Sequence, residues 1–332
     1  NAEVFEYPAE DVFDNFYRRN KLNKFAFKLG LTKIYETIAR ELLEKVDETK
    51  PDFALIFKGM RILPKALLGM KHLGVKIANY NPDHPFLFST AGSGNKNVSQ
   101  SIGLYDLHFC YSHSVQRRIE GEFGIPTAFL PFGYELPEPT FEEVKDEPEI
   151  QSACFIGNPD EIRAAHLKYL AKNEIPVDVY GHGWERHLPN LPNIRLHEAT
   201  YGKDFWRKMR AYRLQINIFR PHNEGSHNMR TFEIPAVGGI MLSPDSPEHR
   251  AFFEPEKEVF LYQTMKEMAT KAKQILALPE AEAAEIRRQA RKRSVVSGYS
   301  YERRAGQVQE VFEQLQTGND KLRKPLSKAV HF

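Results

Sequence analysis

Ser226-His227-Asn228-Met229-Arg230-Thr231-Phe232-Glu233-Ile234-Pro235-Ala236-Val237-Gly238-Gly239-Ile240-Met241-Leu242 decides how this 332-residue chain is read. A polar loop leads into a short helix, two glycines stop it, and an apolar strand follows. The first N–H groups of a helix have no partner within it and sit at the positive end of its dipole, so they can hold phosphate. Glu233, one turn in, can accept hydrogen bonds from ribose hydroxyls. Arg230 can meet a diphosphate through its planar fork, against a surface salt bridge with Glu233 or Glu224. Ser226, His227 and Asn228 suit a helix cap whatever the ligand. Gly238-Gly239 can end the helix in a left-handed conformation. The stretch is a candidate site for a sugar nucleotide.

Working outward, strands and helices alternate. Phe53–Phe57, Val75–Tyr80, Leu107–Tyr111 and Thr127–Pro131 read as strands, and Ser152–Gly157, Val177–Gly181, Ile194–His197, Leu214–Phe219, Ile240–Ser243 and Val259–Tyr262 as a second series. Helical periodicity covers residues 11–48, and helices are expected at 64–73, 95–103, 112–123, 161–173, 203–211, 231–237, 265–276, 280–297 and 301–316. Strands alternating with helices predict parallel sheets covered on both faces. The fold class is therefore α/β, with two Rossmann-like doubly wound domains facing a cleft, where a ligand is expected. The expected division is 1–137, an acidic, proline-rich exposed linker at 138–150, a second domain at 151–298, and a terminal helix with a basic tail at 299–332. Asn1–Tyr7 reads as a strand with no preceding βα unit, which suggests a missing or shortened first unit.

Composition narrows the class. Charged residues are 27% and net charge is +2, so no global field points to nucleic acid or membrane. Cys110 and Cys154 sit in apolar runs and read as buried free thiols. No run approaches the roughly 18 apolar residues that span a bilayer, and none reads as a signal peptide; a cytoplasmic protein is expected. No P-loop, zinc motif or G-x-G-x-x-G fingerprint is present. His108, His166, His197 and His249 lack ligand spacing and read as structural.

Further candidates follow the strand ends. Arg220 can add phosphate charge, against a surface ion pair. Gly157 and Asn158 allow close backbone approach to a ligand, against an ordinary turn. Tyr180, Gly181 and Trp184, in Tyr180-Gly181-His182-Gly183-Trp184, suit a nucleotide or sugar, against a tight loop with Trp184 in the core. Asp83 and His84 are candidates for proton transfer or sugar contact, against a turn beside Pro82.

Taken with NYNPDHP at Asn79–Pro85, GLYDLHFC at Gly103–Cys110 and FLPFGYE at Phe129–Glu135, the segments YGHGW and HNMRTFEIPAVGG make the chain resemble GT-B glycosyltransferases of the CgeB-like, spore-maturation branch. The resemblance implies a nucleotide-diphosphate sugar held mainly by the second domain. It implies a carbohydrate, glycan or protein acceptor on the first domain, and neither cofactor nor metal. Many retaining GT-B enzymes carry two glutamates separated by seven residues. Glu224 and Glu233 here are separated by eight, and Glu233 matches the ribose-binding member. A sugar or nucleotide sensor and a nucleotide-sugar epimerase are the alternative readings.

Overall fold

A computed structural model describes residues 2–88, 92–188, 190–220 and 225–316. The chain divides into two compact units, one of residues up to Pro131 with those from Gly306 onward, the other Phe132–Ala305.

In chain order the first unit contains α1 (Ala9–Arg19), α2 (Lys21–Lys28), α3 (Ile34–Thr49), β1 (Phe53–Phe57), α4 (Pro64–His72), β2 (Lys76–Tyr80), α5 (Lys96–Ser101), β3 (Leu107–Cys110), α6 (His113–Phe123) and β4 (Thr127–Phe129). Its four strands are parallel in the order β1-β2-β3-β4. Ile56 and Ile77 share one sheet face with a core that includes Ile38, Leu42, Ala66 and Leu67 of α3 and α4. Phe53 and Phe109 lie on the other face, where Phe312 stacks on Phe53 at 4.5 Å.

The second unit contains α7 (Glu138–Val144), β5 (Ile150–Ile156), α8 (Glu161–Lys172), β6 (Val177–Tyr180), β7 (Ile194–His197), α9 (Gly202–Ala211), β8 (Tyr212–Ile216), α10 (Arg230–Ala236), β9 (Met241–Pro244), α11 (Pro247–Phe252), β10 (Phe260–Tyr262), α12 (Met265–Leu276) and α13 (Glu280–Val296). The final helix, α14 (Tyr301–Gln316), starts here and ends among the residues of the first unit. The sheet is parallel in the order β10-β9-β8-β5-β6-β7. Successive strands leave β5 first to one side, through β6 and β7, then to the other, through β8, β9 and β10. The order therefore reverses between β5 and β8, and such a reversal opens a crevice outside the carboxyl ends of the two strands. Ala153, Phe155, Val177, Val179, Leu214 and Ile216 face a core closed by Leu167 and Leu170 of α8 and Met268 and Ile275 of α12.

Three expectations change. Residues 2–8 form no strand, because a β pattern needs a neighbouring strand to complete its hydrogen bonds and none pairs there. The run 11–48 is three helices: the Asn20 side chain caps α2 by accepting from Asn23 N at 2.7 Å, and Gly30, at φ +70°, turns the chain before α3. The stretch 138–150 carries α7, whose Val144 is fully buried and whose Phe141 lies under Arg291, so it packs rather than spans. The basic tail expected after residue 316 lies outside the described residues. Among the described residues no helix is long and apolar enough to cross a membrane.

Candidate functional site

The carboxyl ends of β5 and β8 gather positive charge. Asp160 caps α8 by accepting from Arg163 N at 2.9 Å. The Arg163 side chain then turns back across the strand ends. Its Nη1 donates to the Asn158 carbonyl at 2.9 Å and its Nη2 reaches the Ile218 carbonyl at 3.5 Å. Its Nε lies 3.4 Å from the Asp160 carboxylate, which Arg220 approaches at 3.9 Å. Arg230, the first residue of α10, donates through Nε to the Ile156 carbonyl at 3.3 Å, the last residue of β5. Its guanidinium lies over the Phe205 ring at 4.7 Å. Burial lowers the Arg163 pKa to about 10; Asp160 opposes that, and the charges of Arg220 and Arg230 add to it. Three guanidinium groups feel one another here, and two carboxylates, Asp160 and Glu233, answer them. Among the described residues one positive charge is in excess, which a phosphate can neutralise.

Arg230 pairs with Glu233 one turn along α10. Glu233 is buried; burial pushes its pKa up while Arg230 pulls it down. The start of α10 is set by a reciprocal bond. Asn228 N donates to Thr231 Oγ1 at 3.2 Å, and Thr231 N donates to Asn228 Oδ1 at 3.2 Å. The Asn228 amide also exchanges bonds with Asn217, just past β8, at 2.8 and 3.1 Å. The loop before α10 is thereby tied to the end of β8. At the other end, Gly238 has φ +71°, and Gly239 N reaches the Ile234 carbonyl at 2.8 Å. This is the left-handed stop that the glycine pair predicts. Arg291 and Arg287 of α13 then donate to the Ala236 and Gly238 carbonyls at 2.9 and 3.0 Å.

The other candidates divide. Gly157 and Asn158 follow β5 and line the same strand ends. Ser226 and His227 do not face a phosphate: both are buried and bond Glu248 of α11, at 2.7 Å from Ser226 Oγ and 2.6 Å from His227 Nδ1. His227 Nε2 accepts from Phe132 N at 3.2 Å. That fixes the neutral tautomer protonated on Nδ1, wedged among Phe132, Phe232 and Phe252. A side chain so enclosed supports the loop rather than touching a ligand. Tyr180 stacks on His197 at 4.5 Å, and its hydroxyl bonds that of Tyr212 at 2.9 Å. Trp184 is fully buried and donates to the Gly157 carbonyl at 2.8 Å, the tight-loop reading. A Cβ on Gly181 would lie 2.3 Å from that same carbonyl, so only glycine fits. These three residues brace the Gly157 turn from behind.

In the first unit Asp83 forms an ion pair with Lys58 at 2.5 Å, and its N–H donates to Asn81 Oδ1 at 3.0 Å. It is a turn residue with its carboxylate engaged. His84 Nδ1 accepts from Phe86 N at 3.3 Å. Glu224 lies outside the described residues. Cys110 and Cys154 are buried free thiols. His197 pairs with buried Asp178 at 2.6 Å, and His249 bonds Thr231 Oγ1 at 2.8 Å. Among the described residues no three His, Cys, Asp or Glu side chains group to hold a metal ion.

Arg163 is the residue that sequence reasoning missed. It sits in the first turn of α8, where arginine ordinarily reads as a surface position, and only the strand order brings it over the switch point.

No curated protein matches the sequence. A family model described as glycosyl transferase-like matches residues 163–310. Among solved structures, the Anabaena protein HepE in complex with UDP-glucose aligns with a TM-score of 0.61 at 11% identity, over 95% of this chain and 98% of its own. Sucrose-phosphate synthase of Thermosynechococcus elongatus aligns at 0.60 and 13%, over 86% and 80%. A Listeria monocytogenes protein assigned as a UDP-N-acetylglucosamine 2-epimerase aligns at 0.52 and 12%, over 87% and 81%. The chain thus has the GT-B fold, and residues 163–310 are similar to a glycosyl transferase-like domain.

Proposed function

We propose that this protein is a glycosyltransferase of the CgeB-like branch, moving a sugar from a nucleoside diphosphate to an acceptor hydroxyl. The observation that carries the reading is the meeting of Arg163, Arg220, Arg230 and Glu233 at the β5/β8 reversal, beside the start of α10. In the reaction the bond from the anomeric carbon to the diphosphate breaks and negative charge builds on the departing oxygen. In this reading the three arginines stabilise that charge and no metal is called on, since fixed donors in a partly buried setting act with little reorganisation. Glu233, released from Arg230 as the diphosphate takes the guanidinium, turns to the ribose hydroxyls. The first unit takes the acceptor, a carbohydrate, glycan or protein. Its hydroxyl loses a proton as it attacks, and in an inverting reaction we give that proton to His84, or to Asp83 once it parts from Lys58. The two buried thiols suit a cytoplasmic setting.

HepE was solved with UDP-glucose, which makes UDP the first nucleotide to try. Thermal shift with UDP, GDP and dTDP should raise the melting temperature for one of them. Stabilisation by free sugars alone would instead indicate a sensor. Glu233→Ala should abolish most nucleotide binding by calorimetry, and unchanged affinity would refute the ribose role. The structural likeness to the 2-epimerase supports a second reading, isomerisation of the nucleotide sugar. Release of free nucleotide only when acceptor is present separates transfer from isomerisation.

A further inference from the structure

Residues 18–33, Arg-Arg-Asn-Lys-Leu-Asn-Lys-Phe-Ala-Phe-Lys-Leu-Gly-Leu-Thr-Lys, hold six cations and no acid, in a chain whose net charge is only +2. Arg18 is answered by Asp14 at 2.6 Å. Among the described residues Arg19, Lys21, Lys24, Lys28 and Lys33 make no ion pair. The same segment shows water four large apolar side chains: Leu22, Phe25, Leu29 and Leu31 are 78%, 63%, 54% and 75% exposed.

Helix geometry sorts these groups. On α2 the spacing of Leu22, Phe25 and Leu29 (i, i+3, i+7) makes one stripe, and Lys21, Lys24 and Lys28 repeat that spacing one residue earlier, making a basic stripe beside it. The inward side is already fixed. Phe27 packs against Phe13, Tyr17 and Tyr35, and Asn23 Nδ2 donates to the Phe16 carbonyl at 2.8 Å. Leu31 N donates to the Ala26 carbonyl at 2.9 Å, which folds the turn after α2 back onto the helix end. The outward apolar stripe is therefore not needed to hold the helix in place.

We infer that α2 and its following turn are a docking surface for an anionic lipid bilayer. Apolar side chains enter the acyl boundary while the flanking lysines meet phosphate headgroups, the arrangement of an interfacial amphipathic helix. A second copy of the chain is a poorer occupant. A two-fold contact places this patch against itself, and the unanswered cations then repel. A nucleic acid would use the cations, but Phe25 is the one ring among the four exposed apolar side chains, and the three leucines give successive bases nothing to stack on. The surface lies in the first unit and does not depend on the nucleotide reading of the second.

The test is co-sedimentation of the whole chain with vesicles of phosphatidylcholine alone and of phosphatidylcholine mixed with phosphatidylglycerol. Binding is expected only with the anionic lipid, weakening as salt is raised. The triple variant Lys21→Glu, Lys24→Glu, Lys28→Glu should lower vesicle affinity on the order of a hundredfold or more. Phe25→Ser should lower it about tenfold. Circular dichroism should stay as in the parent and melting should change little, since among the described residues Lys24 over the Tyr17 ring at 5.6 Å is the one inward contact the stripes lose. No sedimentation with anionic vesicles, or sedimentation that both variants leave unchanged, overturns the proposal. So does a concentration-dependent dimer that Phe25→Ser dissolves.

Discussion

The two sheets are built from the same parts and end differently. In the first unit the strands run in one direction, β1 to β4. Among the described residues their carboxyl ends carry one neutralised pair, Lys58 with Asp83. In the second unit the order reverses at β5 and β8, and three arginines converge on the reversal. Strand ends alone do not make a nucleotide site. A reversal separates the loops on its two sides, and the space between them lets charge from α8, the end of β8 and α10 meet.

The comparison can be broken most sharply at glycine. Gly181→Ala must place a methyl 2.3 Å from the Gly157 carbonyl at φ +156°. It should cost about 3 kcal/mol in urea unfolding, from steric overlap and backbone strain together. Gly74→Ala, at φ +86° beside β2, meets nothing within 4 Å. It should cost only about 1 kcal/mol, the left-handed strain alone. Equal losses would mean that the crowding against the Gly157 carbonyl after β6 costs nothing beyond the left-handed strain felt by Gly74 before β2.

Next in size is charge. Arg163→Ala should weaken nucleotide binding about a hundredfold by calorimetry, the worth of a charge-assisted contact to diphosphate. Lys58→Ala should leave nucleotide affinity alone. An Arg163→Ala protein that binds nucleotide like the parent removes α8 from the site.

Acid titration sharpens the contrast at smaller scale. Burial depresses His108 in the first unit and His249 in the second to about 4. Each is neutral when folded, while the unfolded chain takes up a proton near pH 6.5. The unfolded state thus binds more protons between those values, and stability falls as pH drops through that window. Between pH 7 and pH 5 each histidine should cost about 2 kcal/mol. Glu233 works the other way. Burial lifts its pKa, so protonation favours the folded state and offsets part of the loss in the second unit. Urea midpoints at the two pH values should fall, and His108→Gln should flatten the dependence. An unchanged slope in that variant rejects a neutral His108.

Much of this was legible in the sequence because it is local. Ile194–His197, Met265–Leu276 and Tyr301–Gln316 form the elements their periodicity predicts, and the Gly238-Gly239 stop takes the expected left-handed turn. What failed depended on distant partners. Ser226 and His227 are polar residues before a helix, and nothing local shows that Glu248, about twenty residues on, draws both inside. Asn1–Tyr7 has a strand pattern without a strand beside it. Phe141 and Val144 were hidden among the acids of α7. Arg163 looked like surface until the sheet placed it.

The two clamped ends of α10 have a mechanical consequence. A seven-residue helix interrupted by Pro235 would ordinarily be free to shift. Here Asn228 and Thr231 tether its beginning to the tip of β8, while Arg287 and Arg291 grip its last carbonyls from α13. A ligand that shifts the backbone of α10, and not only the Arg230 and Glu233 side chains, therefore pulls on α13 through these bonds. A probe attached to the solvent side of α13 would register events at the far tip of the helix it holds.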